Sequence, residues 1–444
     1  MTRALAVIDG EHYAPVVRDA LDELPYDFVG AWLAGGSEKL VGGEDYGVPL
    51  VPELEAGIAE FDPEVVVDLS DEPVLGPRER FRLASRVLAL GLPYVGPDFR
   101  FDPPELAPYP LPSLAVIGTG KRVGKTAVTG HLARLLARDR QLVVVAMGRG
   151  GPPDPELAQV QPTLERLLEL SRAGRHAASD YLETAALAGV VTIGCRRAGG
   201  GLAGAPGESN VLEGAALAAE REPDLVLFDG SGAAIPPIDV DARVLVTSSA
   251  QPVEVVTGYL NTYRILISDL VVVTGGASGP LLEAIGQVKD VPLVPVELRP
   301  RPVEPIAGRR VAYFSTAPAA VHETLAGHLE ERHGAEVTHV SGNLARREAL
   351  RAELEQVDAD VYLVEIKAAA IDVVAETALE RGRELVFADN ELVGGNIDEQ
   401  VLALLKEPPR RRLRRRTQAE RGLPVRPSEM TGRHDVGREA EARK

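Results

Sequence analysis

The chain has 444 residues, 45% hydrophobic and 26% charged, an ordinary balance for a folded protein of two or three domains. Its 48 Lys+Arg against 66 Asp+Glu leave a formal charge of −18, which argues against nucleic acid as the main partner. A single cysteine, Cys195, excludes an internal disulfide framework and an all-cysteine metal site, and no run approaches the ~18–20 apolar residues of a membrane span.

No signal-peptide cleavage pattern follows Met1, so a soluble cytoplasmic protein is expected. Arg outnumbers Lys 41 to 7, and Asn and Gln together number 13. Scarce labile side chains fit a hot habitat, whereas the Arg excess fits a GC-rich genome equally well. Either way, each surviving Lys is marked as a position that needs a compact ammonium.

In chain order, Leu5–Asp9 reads as a short strand, residues 13–24 as a helix, 27–33 and 65–68 as strands and 78–90 as a second helix. Alternating strands and helices imply a parallel sheet, here a small Rossmann-like α/β domain over residues 1–105. Prolines 103, 104, 108 and 110 mark a linker. Unbroken apolar runs at 114–117, 142–146, 190–193, 225–228, 244–246 and 270–273 are strands covered on both faces. They define a central P-loop NTPase-type parallel sheet in a domain over 112–300. Strands at 311–314, 337–340, 361–364 and 385–387 make a C-terminal α/β segment over 301–406. Residues 407–444 hold 12 basic and 6 acidic residues, including the arginine run 410–416, and read as a disordered basic tail on a body of charge −24.

The strongest motif is Gly118, Thr119, Gly120, Lys121, Arg122, Val123, Gly124, Lys125 and Thr126, set between an apolar strand and an amphipathic helix. Glycines let backbone N–H groups turn toward phosphate oxygens, and the helix N-terminus adds partial positive charge. Lys125 is placed to reach the β/γ-phosphates and Thr126 to ligate Mg²⁺. Thr119 stands where a P-loop has its first glycine, which moves one residue earlier to Gly118. The loop thereby resembles that of dethiobiotin synthetase and related ATP-dependent amidoligases, in which Gly-Thr-x-x-x-Val-Gly-Lys-Thr also occurs. The absence of an Asn-Lys-x-Asp guanine signature favours ATP.

Asp229, delivered into a glycine turn by four apolar residues, is the expected second metal or water-positioning carboxylate, with Asp239 and Asp241 weaker candidates. Lys121, Lys125 and Asp229 form the expected catalytic set. Arg149 among three glycines, and Arg196 and Arg197 before three more, are candidate anion ligands, the alternative being solvated surface arginines. His176, in the stretch 176–183, and Lys367, after the strand 361–364, are further candidates. So are Asp9, Glu11 and His12, clustered where the first strand ends.

Val7-Ile-Asp-Gly-Glu-His-Tyr13, the phosphate loop, Met147-Gly-Arg-Gly-Gly-Pro152, His176-Ala-Ala-Ser-Asp-Tyr-Leu-Glu183 and Glu365-Ile-Lys-Ala-Ala-Ala-Ile-Asp372 together resemble the cyclic 2,3-diphosphoglycerate synthetase family over residues 1 to about 405. The resemblance implies ATP-driven closure of a phosphoanhydride between the two phosphates of a small anionic substrate, 2,3-diphosphoglycerate, releasing ADP and phosphate. Another ligase or kinase of the dethiobiotin synthetase type, or a nucleotide-switched regulator, are the rival readings. Homo-oligomerisation stays open.

Overall fold

The computed structural model describes residues 1–406 apart from 160, 175–178 and 367–369. The basic tail 407–444, His176 and Lys367 therefore lie outside the described residues.

The first hundred residues form β1 (Thr2–Ile8), α1 (Ala14–Glu23), β2 (Tyr26–Leu33), β3 (Leu50–Val51), α2 (Leu54–Phe61), β4 (Val65–Asp68), α3 (Pro77–Ala89), β5 (Tyr94–Val95) and β6 (Arg100–Phe101). The six strands lie in the order β3-β2-β1-β4-β5-β6, parallel except for the β5–β6 pair. Helix α3 shows why such segments fold as they do. Pro77 opens it where no helical N–H partner is needed, Glu79 complements the dipole, and Leu83, Ala84, Val87 and Leu88 form a buried stripe.

The proline-rich connector contributes β7 (Ala107–Pro108). The central part follows as β8 (Ser113–Gly118), α4 (Lys125–Leu136), β9 (Leu142–Gly148), β10 (Glu156–Ala158), α5 (Leu164–Arg172), α6 (Asp180–Ala188), β11 (Val191–Ala198), β12 (Glu208–Ser209) and α7 (Val211–Ala219). It continues through β13 (Leu225–Asp229), β14 (Ile238–Asp239), which pairs with β7, β15 (Ala242–Ser248), α8 (Val253–Thr257), α9 (Asn261–Leu266), β16 (Leu270–Thr274) and α10 (Gly279–Val288). Every residue of β8, β9, β13, β15 and β16 is buried, as their unbroken apolar runs require. Each Val or Leu so covered contributes about 1.5–3 kcal/mol of transfer free energy.

The last part comprises β17 (Leu293–Pro302), β18 (Arg310–Phe314), α11 (His322–His333), β19 (Glu336–Ser341), α12 (Arg347–Leu354), β20 (Val361–Glu365), α13 (Glu376–Glu380), β21 (Glu384–Val393) and α14 (Ile397–Lys406). It is not a separate sheet. The order β10-β11-β9-β13-β8-β15-β16-β17-β21-β20-β18-β19 is continuous, with β12 paired to β11. Strand β17 makes the join: its residues 293–296 pair parallel with β16, and its residues 297–302 pair antiparallel with β21. The division expected after residue 300 thus falls inside one strand. Helix α14 then returns to the central sheet, where Ile397 and Val401 share a core with Val128, Leu132, Val272 and Val294.

Candidate active site

Strand β8 delivers the chain into the phosphate loop, and α4 leads it out. Gly124 has φ +82°, and a Cβ there would meet Thr274 Cγ2 at 2.8 Å, so only glycine fits this turn. The Thr274 hydroxyl donates to Val123 O (3.0 Å), fastening the loop to β16. Thr119, where a P-loop has glycine, turns its side chain away from the loop. Its hydroxyl donates to Gln251 Oε1 (2.6 Å) and lies 3.0 Å from Thr247 Oγ1. Residues Gly120 to Thr126 line a cavity of about 1530 Å³, with Gly118 and Thr119 behind it. The far wall comes from the C-terminal part and includes His322, Asn343, Arg346, Glu365 and Asp389.

β13 lies next to β8 in the sheet, which puts its last residue, Asp229, beneath the loop. Lys125 Nζ approaches Asp229 Oδ1 at 2.5 Å with both side chains buried, and Thr129 donates to the same oxygen (2.9 Å). Burial pushes the Asp229 carboxyl above the usual carboxylate range. The Lys125 ammonium opposes this, and the negative charge of Asp180 adds to it.

Asp180, the first residue of α6, lines the same cavity with Glu183 and Thr184. His176, the candidate expected in this stretch, lies outside the described residues. The available signal was Ser179-Asp180 at a helix start, a common capping pair whose placement under the loop only the fold supplies. Asp229 Oδ2, Ser179 Oγ, Thr184 Oγ1 and Arg197 Nε are all buried without a hydrogen-bond partner among the described residues. Such orphans are rare, and these border one cavity or touch its lining.

Two guanidinium groups and the stem of Lys121 converge where the turn after β13 meets the loop. From a Cβ placed on Gly232, Arg149 Nη2 is 3.4 Å away, Lys121 Cγ 3.6 Å and Arg197 Nη2 3.7 Å. Arg197 donates to Ser231 O (2.8 Å) and to Gly199 O. Burial and the neighbouring Arg149 pull its pKa down, opposed by Asp180. Arg196 requires a correction. Successive strand residues face opposite sides of the sheet, so the adjacent arginines separate: Arg197 is buried against Ser231, a residue of the cavity lining, whereas Arg196 is solvent-exposed, and neither arginine is itself in that lining.

The N-terminal trio is likewise not brought to this cavity. Asp9, fully buried after β1, accepts from the N–H groups of Glu11 (2.9 Å), His12 (3.1 Å) and Asp71 (2.7 Å), and from His12 Nδ1 (2.8 Å). Burial raises its pKa, and these hydrogen bonds outweigh that and hold the carboxyl below its ordinary value. Its oxygens organise a turn. Cys195 is buried, and burial pushes its thiol up to about 12, which disfavours the thiolate that a nucleophile requires.

Three family models match in succession: the N-terminal domain of cyclic 2,3-diphosphoglycerate synthetase over residues 3–102, its P-loop domain over 113–289 and its C-terminal domain over 302–391. A protein of Rubrobacter xylanophilus named cyclic 2,3-diphosphoglycerate synthetase is 51% identical over 435 residues, covering 92% of this chain and 98% of that protein. The chain belongs to the cyclic 2,3-diphosphoglycerate synthetase family. A namesake from Thermococcus gammatolerans is 44% identical over 429 residues, covering 91% of this chain and 97% of its own. Among solved structures, a DUF1611 family protein from Anabaena variabilis matches at 13% identity, over 78% of this chain and 95% of that one, with a TM-score of 0.18. Among the described residues no helix is long and apolar enough to cross a membrane.

Proposed function

We propose that this cavity uses ATP to close 2,3-diphosphoglycerate into its cyclic phosphoanhydride, releasing ADP and inorganic phosphate. The observation that carries the reading is the convergence of Arg149, Arg197 and Lys121 beside the phosphate loop and the Lys125–Asp229 pair. A diphosphoglycerate carries roughly −4 to −5 near neutral pH, and a chain of net charge −18 repels it at long range. Only a local cationic cluster overcomes that field, and the turn at Gly232 holds one.

Gly120 to Thr126 bind the triphosphate, and Lys125 swings from Asp229 toward the β/γ-phosphates. One oxygen of a substrate phosphate attacks the γ-phosphorus. The bond to the bridging oxygen of ADP breaks, leaving a terminal diphosphate on the substrate. An oxygen of the second substrate phosphate then attacks the inner phosphorus, and the transferred group leaves as inorganic phosphate. Arg149, Arg197 and Lys121 hold the two phosphates together against their repulsion, so positioning and charge neutralisation supply the rate. The oxygen donors of Thr126, Asp229 and Asp180, with Asp229 Oδ2 unpartnered, fit a hard divalent ion such as Mg²⁺. When bound, that ion neutralises charge developing on the transferring phosphoryl group.

Phosphorus NMR of the protein with Mg-ATP and 2,3-diphosphoglycerate tests this, with Lys125→Ala alongside. New phosphoanhydride signals with stoichiometric ADP and phosphate, absent in the variant, are expected. ATP hydrolysis without them would reassign the acceptor.

A further inference from the structure

Helix α11 carries His328 and His333, and Glu391 lies on β21. His328 and His333 are two of only eight histidines in 444 residues. The His328 and His333 ring centroids are 5.6 Å apart, and His328 Nε2 lies 2.8 Å from Glu391 Oε1. One ring nitrogen of each histidine and one oxygen of Glu391 all fall within 4.8 Å of one another, and all three residues are partly buried. His333 Nε2 is buried with no hydrogen-bond partner among the described residues.

We propose that His328, His333 and Glu391 form a binding site for a borderline divalent transition ion of the Zn²⁺ type, separate from the nucleotide cavity. Two imidazoles and one carboxylate suit a tetrahedral ion with one position left for water, whose donors stand about 3.4 Å apart at metal–nitrogen distances near 2.0–2.1 Å. Modest side-chain adjustment closes the present cluster to that size. Ca²⁺ and Mg²⁺ suit this set poorly, because they take oxygen ligands and two of its three donors are imidazole nitrogens. Two cations bear on the cluster: Arg301, already paired with Asp389 (3.1 Å), and Arg332 beside His333. The ion would staple α11 to β21. Thr324 and Leu325, one turn before His328, and Asp389 and Asn390, just before Glu391, line the cavity, so the staple would firm its far wall.

The test uses the full chain, stripped with a chelator, dialysed, held in excess Mg²⁺ and titrated with Zn²⁺ and separately with Co²⁺. One equivalent of Zn²⁺, the visible ligand-field absorption of four-coordinate Co²⁺, and a rise in Tm are expected. His333→Gln and Glu391→Gln should each weaken uptake at least about tenfold and remove the Tm rise, with far-UV dichroism unchanged. Full uptake by both variants, or none by the unaltered protein, overturns the proposal. Should a variant misfold, X-ray absorption of the zinc-loaded unaltered protein decides alone: two imidazole nitrogens on zinc are expected, and fewer than two overturns it.

Discussion

At the scale of single residues, the Lys125–Asp229 pair is where stability and chemistry meet. Both charges are withdrawn from water, so removing one leaves the other uncompensated. Lys125→Met is expected to cost about 3–5 kcal/mol in denaturant unfolding and to abolish ADP release. Combining it with Asp229→Leu should restore most of the stability and none of the turnover. A variant as stable as the parent would show that the pair is not buried in solution. Arg149→Ala should lower kcat/KM by about ten- to hundredfold, the worth of a charge-assisted contact of about 1.5–3 kcal/mol. Unchanged kinetics would remove Arg149 from the site. The phosphate loop was legible because its residues are contiguous and their spacing is the signal. Arg197 could not be told from Arg196 without strand register. Asp180, about fifty residues from either Lys125 or Asp229, could not be placed beneath the loop without the order of strands.

At the scale of elements, close contacts set what substitutions the packing tolerates. Helix α7 crosses β11 where a Cβ on Gly214 would stand 2.2 Å from Cys195 Sγ. Gly214→Ala should therefore destabilise by about 1–3 kcal/mol through overpacking, and Cys195→Ala should recover part of that, a coupling a double-mutant cycle would measure. Glu353 on α12 accepts from Ser341 Oγ (2.5 Å), Asn343 Nδ2 (3.0 Å) and His339 Nε2 (2.8 Å). Burial raises its pKa, but these bonds outweigh it and hold the carboxyl below its ordinary value. A depressed acid stabilises the fold above its unfolded pKa, about 4.3, and that contribution is lost as pH falls through the folded value. Glu353→Gln should accordingly flatten the acid limb of Tm against pH, and an unaltered limb would count against it. Most long elements were readable from apolar runs and helical spacing. Strand β17 was not, because Pro295, Pro300 and Pro302 interrupt it. The fold tolerates them because each half of β17 is bonded along one edge only, leaving room for residues that lack an N–H.

At the scale of the whole molecule, the cavity draws on the central and C-terminal parts alike, and among the described residues its lining ends at Asn390. Deleting residues 407–444 should therefore leave kcat and KM unchanged, whereas a nucleotide-switched binder that works through the basic tail would lose its partner. Arg134 on α4 and Arg301 on β17 both pair with Asp389 on β21, tying the helix behind the phosphate loop to the far wall. Such cross-links were illegible in sequence, since they join residues more than eighty positions apart.

The divided pairing of β17 also bears on how this chain can be inherited. The family's P-loop model stops at residue 289, before that strand, and its C-terminal model resumes at 302, the strand's last residue. A recombination event at this seam would cut ten residues whose first four belong to one neighbouring strand and whose last six belong to another. The incoming half would have to match both edges at once or expose a row of unpaired amides. Lineages that carry this sheet are therefore constrained to pass on the two halves together, although each is recognised by its own motif.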